Sequence, residues 1–504
     1  MSFLTPPPPV PESEIKRTES ARIVVVGEGL SGLCCALSAQ QQGADTLIVT
    51  ASRGPVGRGG SVFAAYSKVL AEHGFERPDL DRFYLQELEG VSFLADQRKW
   101  YDLLNNSEEA MDWLTDILRA AGLDVVLEDG NVGDPDSPTY QPPCTHAFVG
   151  KGVTRAGVGI TLAVKALEEA FLRAGGRVLH SAPARQLEKS SGRVTGVIAE
   201  SAEGYIRINA SQAVVLATGD FSANPEMMRA YCPVWAPHFT AEGTDYDIGF
   251  NTGGGLYRGE GHQMALWAGA AWQRTWPACA MIQGSRLGSN LPYGSHRGLR
   301  VNVRGERYCN EDMNGAYTAL TTLREPKGRA FAIWGANYAR DIRWRAHGGQ
   351  RDGPDNTPEN VVKTWETQVA DGKLMKADTL PELIEKLGLP ASTLETIEHY
   401  NALCRAGADT DFHKKPEYLQ EIREAPFYGG ELSDIRFFTV LGGPRTDSRL
   451  RVCDADDEPI PGLYCVGSMI GDMYANYYNF RIPGQNYGAC LTLGYLTGRR
   501  LAAE

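Results

Sequence analysis

The sequence predicts an α/β fold with a parallel sheet, and three patterns along its 504 residues carry this prediction. Near the N-terminus, the apolar run RIVVV at 22–26 is followed by a glycine-rich turn, an apolar helix and a second apolar run, TLIVT. Two further runs, QAVVLATG at 212–219 and GLYCVG at 462–467, come much later. Short continuous apolar runs are typical of parallel strands that are buried on both faces.

Composition excludes several functional classes. The net charge of −12 offers no electrostatic reason to expect nucleic acid or an anionic membrane as a partner. No apolar stretch reaches the roughly 18 residues of a spanning helix. The ten cysteines contain no CxxC pair, and the histidines lack metal-ligand spacing, so we expect no metal, iron–sulfur cluster or haem. A reducing, cytoplasmic setting is predicted, with residues 1–20 as a flexible, proline-rich lead-in.

The first turn has the spacing of a dinucleotide-binding site. Gly27 permits the tight turn, Gly29 admits a pyrophosphate, and Gly32 lets the helix pack closely on the strand. The phosphates are then expected at the helix N-terminus, with the backbone of Leu30 and Ser31, because amides and the helix dipole favour anions there.

The second strand ends differently from the usual pattern, in which an acidic residue binds the adenosine ribose. Here the strand ends in Thr50, and Ala51, Ser52 and Arg53 follow. We expect Thr50 or Ser52 to supply a neutral hydrogen bond. Arg53 raises the alternative of a 2′-phosphate and therefore of NADP.

A second glycine-rich loop and several later residues point to a flavin. The loop follows the second strand closely, which is common in flavoproteins and unusual in NAD domains. It consists of Gly57, Arg58, Gly59, Gly60 and Ser61. The third strand ends in Ala217, Thr218 and Gly219, where the chain of a flavoprotein returns to the cofactor. The remaining predicted cofactor-binding residues of this middle region are Ala184, Asp220 and Glu260.

The chain divides into an interrupted nucleotide domain and an insert. We predict the nucleotide domain over 21–275 and 431–504, and a cap over 276–430 that is richer in Trp, Tyr and Arg. The last helix is predicted to begin near Gly484, with its positive end toward the flavin, where it would stabilise an anionic reduced ring. No second glycine turn follows a strand, so we expect the flavin to exchange electrons with a separate donor or acceptor.

Taken together, these motifs resemble the fumarate reductase/succinate dehydrogenase flavoprotein superfamily, and its soluble tricarballylate dehydrogenase-like and 3-ketosteroid dehydrogenase-like branches in particular. The markers are VVVGEGLSGLCCALSAQQQGA, GRGGS, AVVLATGDFSANPEMM, GEGHQMALWAGA, VNVRGERYCNED and IPGLYCVG followed by PGQNYGACLTLGYLTGR. The resemblance implies a Rossmann-like FAD-binding domain with an inserted α+β cap and noncovalent FAD. It also implies cofactor contacts for Gly467, Ser468, Asp472, Gly484, Gln485, Asn486 and Tyr487, with Asp472 compensating for the family acid that Ser468 replaces.

The resemblance also proposes catalytic residues. Arg481 occupies the position of the arginine that holds a substrate carboxylate, whereas the proton-donor arginine, expected near Gly315, is missing. The tyrosines Tyr474, Tyr477 and Tyr478, and more weakly Tyr317, are candidate acid/base groups if a cation or the flavin lowers their pKa.

The predicted function is FAD-dependent dehydrogenation or reduction of a C–C or C=C bond beside a carbonyl or carboxylate, by hydride transfer at flavin N5. Two alternatives remain at this point. One is a non-redox flavoprotein isomerase or hydratase, and the other is a degenerate FAD-binding protein.

Overall fold

The computed structural model describes residues 1–57, 59–128, 143–152, 159–235, 256–283, 298–313, 315–341, 357–432 and 435–504. These residues form two compact units. The first comprises Met1–Glu128, Cys144–Ala280 and Phe438–Glu504, and the second consists mainly of Met281–Phe437.

Among the described residues, the strands are, in chain order, β1 (Ile15–Val26), β2 (Thr46–Val49), β3 (Val62–Phe63), β4 (Asp124–Glu128), β5 (Thr145–Val149), β6 (Arg177–Leu179), β7 (Ala184–Ser190), β8 (Arg193–Ser201), β9 (Gly204–Leu216), β10 (Ala278–Gln283), β11 (Arg300–Asn302), β12 (Ala330–Gly335), β13 (Met375–Ala377), β14 (Phe427–Glu431), β15 (Ile435–Leu441), β16 (Arg451–Cys453) and β17 (Pro459–Cys465).

The α-helices of the same residues are α1 (Leu30–Gln41), α2 (Lys68–Glu72), α3 (Leu80–Gly90), α4 (Gln97–Ala120), α5 (Ile160–Arg173), α6 (Pro225–Tyr231), α7 (Glu260–Trp267), α8 (Gly315–Leu323), α9 (Tyr338–Asp341), α10 (Pro358–Ala370), α11 (Leu380–Lys386), α12 (Thr393–Ala406) and α13 (Gln485–Ala503). None of them is long and apolar enough to cross a membrane.

The first unit is built on a largely parallel sheet in the order β16-β17-β9-β1-β2-β6, with β7 and β8 attached beside β9. Its centre is parallel: Val24 pairs with Leu47 on one side and with Val214 on the other. All three side chains are at most 1% exposed, because this strand is covered on both faces. The apolar runs therefore form the parallel sheet that the sequence predicts, which confirms the α/β class.

The N-terminal segment differs from the predicted flexible lead-in. β1 begins at Ile15, and Ile15–Ser20 pairs with Tyr205–Asn209 of β9. Before this strand, Phe3 is buried, and the backbone amide of Ser2 donates to Glu226 at 2.6 Å. The sequence did not predict this pairing, because the segment is rich in proline and the residues that it contacts lie far away along the chain.

The second unit contains an antiparallel sheet in the order β11-β12-β14-β13. One of its apolar clusters packs Trp334, Trp365 and Tyr428 together, and another contains Ile333 and Tyr400. The helices α11 and α12 flank a Gly-Leu-Pro break at 388–390. Strands, helices and their antiparallel pairing agree with an α+β insert.

The second unit contains a buried charge network. The guanidinium of Arg307 donates to Glu311 at 2.8 Å and to Asp409 at 2.7 Å, and Lys414 lies 3.2 Å from Glu311. Their side chains are at most 5% exposed. Arg307 is therefore occupied by structural ion pairs with Glu311 and Asp409.

Candidate active site

The glycine turn after β1 has the close packing that its sequence predicts. A Cβ on Gly27 would overlap the carbonyl of Ala217, and a Cβ on Gly32 would overlap the carbonyl of Gly27. The turn is thus pressed against the segment that follows β9. Gly29 differs, because among the described residues a Cβ there would meet only the Val56 carbonyl oxygen, at 3.9 Å. Within that part of the chain, the space beside Gly29 suits a bound phosphate.

The C-terminal loop lies directly against this turn. Gly467 has a φ of +83°, and a Cβ there would overlap the Ser31 hydroxyl. The next residue, Ser468, is hydrogen-bonded through its hydroxyl to the Asn486 amide, at 3.4 Å from Nδ2. Ser31 and Gly467, which lie near opposite ends of the chain, therefore form one site.

Two helix N-termini open onto this region without a side-chain cap. α1 begins after Gly29 and α13 begins after Gly484, and neither has a hydrogen bond from a capping side chain. The amide of Phe63 donates to the Gly484 carbonyl at 3.1 Å, which places β3 and the preceding Ser61 beside the start of α13. Uncapped helix N-termini supply N–H groups and a positive dipole end, which suit a pyrophosphate and an anionic ring. The residues present therefore fit FAD.

The loop at 57–61 also packs at this site. The amide of Ile160 donates to the Gly59 carbonyl at 3.3 Å, and a Cβ on Gly57 would approach Ile160 to 2.7 Å. A Cβ on Gly59 would lie 3.7 Å from the ring of Tyr487. Gly60 and Ser61 continue toward β3. Arg58 lies outside the described residues.

The segment after β9 returns to the turn as predicted. The amide of Ala217 donates to the Val26 carbonyl at 2.8 Å, and a Cβ on Gly261 would overlap the Thr218 hydroxyl. Gly219 follows, and its Cβ position lies 3.0 Å from Tyr257. Glu260 opens α7 beside this contact, and burial raises its pKa.

Two other predicted cofactor residues of this region have structural partners. The carboxylate of Asp220 accepts from the amide and hydroxyl of Ser222, at 2.9 and 2.8 Å, and from Thr439. Ala184 begins β7, where it pairs with Ala199 of β8. Neither contact excludes the cofactor, and their role in FAD binding stays a prediction.

The hydroxyl groups at the end of β2 form hydrogen bonds with each other and with the neighbouring backbone. The Thr50 and Ser52 side-chain oxygens are 2.8 Å apart, and Ser52 donates to the Gly54 carbonyl at 2.6 Å. Ala51 between them is exposed. Glu28 of the glycine turn is buried, and its carboxylate lies 3.2 Å from His180.

Asp472 has a different role from the one that the resemblance implies. Its two oxygens accept from the backbone amides of Arg274 and Thr275, at 3.0 to 3.1 Å, and from the Thr275 hydroxyl at 2.9 Å. The carboxylate is therefore used to hold this turn of the chain. Sequence could not reveal this, because these partners belong to a distant part of the chain.

A buried lysine anchors the same loop. Lys99 of α4 is 1% exposed, and its ammonium donates to the carbonyls of Gly471 at 2.7 Å and Thr446 at 3.1 Å. Next to it, Trp100 donates to the Met473 carbonyl at 2.8 Å. The start of α4 thus fixes the path of the loop that leads into α13.

Two of the four tyrosines do not fit the predicted acid/base role. Tyr474 and Tyr478 are 2% and 4% exposed, and their hydroxyls bond the Gln485 carbonyl at 3.1 Å and the Asn486 amide at 3.2 Å. Burial raises the pKa of both phenols, whereas an acid/base role requires it to fall. They instead hold the first turn of α13 in place.

The acid/base role of the other two tyrosines, Tyr477 and Tyr317, stays a prediction. Tyr477 is half-buried, and its backbone forms a bridge with Cys279. Tyr317 lies on α8 of the second unit.

Arg481 is held at the end of α3. Its Nη1 donates to the Gln86 carbonyl at 3.1 Å, and its amide donates to the Asn479 side chain at 2.8 Å. A Cβ on Gly90 would lie 3.2 Å from Cδ of Arg481. Among the described residues, no carboxylate forms a salt bridge with this guanidinium.

Sequence reasoning missed Glu87, the buried acid beside this arginine. It is 0% exposed, and neither carboxyl oxygen has a hydrogen bond of normal geometry within the described chain. Burial raises its pKa to about 8, against the smaller lowering effects of Asn479 and Arg481. One signal was present: Glu87 lies four residues after the apolar Phe83, on the face of α3 that a helical period buries.

Comparison with known proteins identifies proteins of similar sequence and fold. The family model described as FAD binding domain matches residues 22–480. A vinyl phenol reductase of Lactiplantibacillus plantarum is 27% identical, over 97% of this chain and 97% of its own length. A 3-oxosteroid 1-dehydrogenase of Mycolicibacterium smegmatis is 27% identical, over 95% and 97%. The solved 3-ketosteroid-delta4-(5alpha)-dehydrogenase of Rhodococcus jostii RHA1 has the same fold, with a TM-score of 0.74 at 24% identity over 98% of both chains.

Proposed function

Since the chain belongs to the FAD binding domain family, we propose that it reduces or dehydrogenates a conjugated substrate whose carbonyl or carboxylate is bound by Arg481. The family confirms the resemblance stated from the sequence and FAD as the cofactor. The protein is an FAD-dependent oxidoreductase that acts on CH–CH groups, as are its relatives by sequence.

One observation carries the choice of substrate class. The charge of Arg481 is not neutralised by a carboxylate among the described residues, because its buried neighbour Glu87 has a pKa of about 8. A neutral acid leaves the guanidinium able to bind an anionic or polarised oxygen, with bidentate geometry available for a carboxylate. The substrate is therefore a compound in which such an oxygen is conjugated with the reacting carbons.

Different residues of this chain bind the cofactor and the substrate. The turn at 27–32 and the start of α13 would hold FAD, which supplies hydride transfer at N5 when bound. Arg481 polarises the substrate oxygen, which stabilises the negative charge that develops there. Glu87 and the Gln86 carbonyl act as positioning groups for this guanidinium.

The proton at the second carbon needs its own group. We propose Tyr477 for it, because Tyr474 and Tyr478 are buried and bonded to the backbone of α13. Exchange of electrons with a separate carrier is also proposed, since the strand–turn–helix pattern for a dinucleotide occurs once in the sequence. The ten cysteines are free thiols, which supports a reducing, cytoplasmic setting.

Anaerobic mixing of the reduced and oxidised holoenzyme with a panel of enones, enoates, vinyl phenols and ketosteroids tests this proposal. We expect the flavin absorbance to change with at least one class. With that compound, Arg481→Met should slow the flavin reaction by about 100-fold or more, and Tyr477→Phe should slow it with a changed pH profile.

Arg500→Met is the matched control, because Arg500 is a half-buried arginine of α13 that pairs with Asp102 at 2.7 Å. It should leave the flavin reaction unchanged. The proposal is wrong if no compound in the panel changes the flavin spectrum, or if Arg481→Met reacts at the rate of the control. Turnover without any electron acceptor would favour an isomerase or hydratase instead.

A further inference from the structure

We propose that Glu28, Glu168 and His180 form a binding site for one divalent transition-metal ion, of which Zn²⁺ is the best match. Nε2 of His180 lies 3.1 Å from Oε2 of Glu28 and 3.1 Å from Oε1 of Glu168. One ligand atom from each residue lies within 4.8 Å of the others. An ion bonded at about 2.0–2.2 Å to each of three such atoms fits between them.

The three ligands come from different parts of the first unit. Glu28 is in the turn after β1, Glu168 is on α5, and His180 follows β6. β1 and β6 both pair in parallel with β2, so that their carboxyl ends meet at one edge of the sheet. The sequence alone cannot bring these residues together, because Glu28 lies far from Glu168 and His180 along the chain.

Without a cation, this cluster holds a proton instead: burial and the neighbouring Glu168 raise the pKa of Glu28 to about 8, and its carboxyl shares the proton with Glu168. The Glu28 side chain is 0% exposed, and within the described chain its Oε2 has no hydrogen-bond partner. Nε2 of His180 has one bonding position, yet two Glu28 oxygens and one Glu168 oxygen lie within 3.2 Å of it. One N–H cannot satisfy three oxygens, and a buried unpaired carboxylate oxygen is costly.

The donor set indicates the kind of ion. One imidazole nitrogen and two carboxylates suit Zn²⁺ and the neighbouring first-row divalent ions, whereas Mg²⁺ and Ca²⁺ prefer oxygen ligands alone. The His180 side chain is 35% exposed and that of Glu168 is 16% exposed, so an ion can enter from solvent and keep a water ligand. None of its three ligands is a residue that the proposed reaction uses.

Its position links it to the cofactor turn. Glu28 lies between Gly27 and Gly29, and its carbonyl accepts from the amide of Val56 at 3.2 Å. An ion bound here ties α5 and the segment after β6 to this turn. Metal occupancy is therefore expected to slow FAD release.

Calorimetric titration of chelator-treated holoenzyme with Zn²⁺ tests the site. We expect one equivalent to bind at micromolar concentration or tighter, and Glu168→Gln and His180→Ala each to weaken binding at least about tenfold. Glu169→Gln is the control, because Glu169 is exposed on the same helix and pairs only weakly with Arg173, at 3.9 Å. It should bind Zn²⁺ as the unmodified protein does.

FAD content and thermal unfolding are measured for each variant, so that loss of folding is distinguished from loss of a ligand. His180→Ala, at a partly exposed position, keeps the test valid if Glu168→Gln folds poorly. Absence of stoichiometric binding would show that a proton is shared in the cluster and would overturn the proposal. Equal Zn²⁺ binding by all variants would place the ion elsewhere and also overturn it.

Discussion

Replacing Glu87 with glutamine tests whether this buried side chain is a neutral acid in the folded protein. Its carboxyl is fully buried, and burial raises the pKa to about 8 from the usual 4.5. Between these two pH values the unfolded chain has lost the Glu87 proton and the folded protein has kept it. The free energy of unfolding therefore falls as pH rises through this window, and the contribution is fully present only below about pH 4.5.

The expected magnitude follows from the same pKa. Each pH unit in the window costs about 1.4 kcal/mol, so the loss approaches about 5 kcal/mol at pH 8 and above. Glutamine has nearly the shape of the protonated acid and does not titrate. Glu87→Gln should therefore match the unmodified protein near pH 4.5 and become more stable than it at a rate of about 1.4 kcal/mol per pH unit, levelling off above pH 8.

Urea unfolding of the two holoproteins from pH 5 to pH 9 measures this difference. Other titrating groups are common to both proteins and cancel in the comparison. Glu89→Gln is the control, because Glu89 is exposed on the same helix, and it should show no such pH dependence. A stability difference that stays constant with pH would refute the reasoning, since it would mean that Glu87 is ionised in the folded protein and paired with Arg481.

Two further substitutions test how the cofactor site is assembled. Lys99→Met removes the buried ammonium that bonds the Gly471 carbonyl. We expect weaker FAD binding, measured by FAD release, and a loss of about 2–4 kcal/mol in the free energy of unfolding, measured by urea unfolding. An unchanged FAD affinity would contradict this role of Lys99. Gly467→Ala should weaken FAD binding, because its Cβ would overlap the Ser31 hydroxyl, whereas Gly43→Ala has a nearly equal φ of +85° and nothing within 4 Å. Both alanines should cost about 1 kcal/mol of backbone strain, so equal FAD affinities in the two variants would contradict the packing at Gly467.

The cofactor turn shows which features of the site can be predicted from a short stretch of sequence. Gly27, Gly29 and Gly32 were interpreted from a strand, a turn and a helix that follow one another directly in the chain, and each has the packing that this interpretation requires. The start of α13 after Gly484 was predicted in the same way. Such predictions succeed because steric limits on the backbone and the burial of a parallel strand act over a few neighbouring residues.

The polar side chains of the site were predicted less well. Asp472 was expected at the cofactor but holds the turn at Arg274 and Thr275. Tyr474 and Tyr478 were candidate acid/base groups on the condition that a cation or the flavin lowers their pKa, but burial raises the pKa of both. Each of these residues lies in the loop that leads into α13. Its partners and its burial were not predictable from neighbouring letters.

By itself, the sequence determined the α/β class, the glycine turns and the FAD-binding family, because these depend on short-range backbone geometry and on the order of apolar runs. Only the tertiary structure decided that Glu87 is buried beside Arg481 with a raised pKa, that Lys99 anchors a loop 372 residues away, and that Glu28 meets His180. Burial and pairing set the charge of such groups, and both arise from contacts between distant parts of the chain.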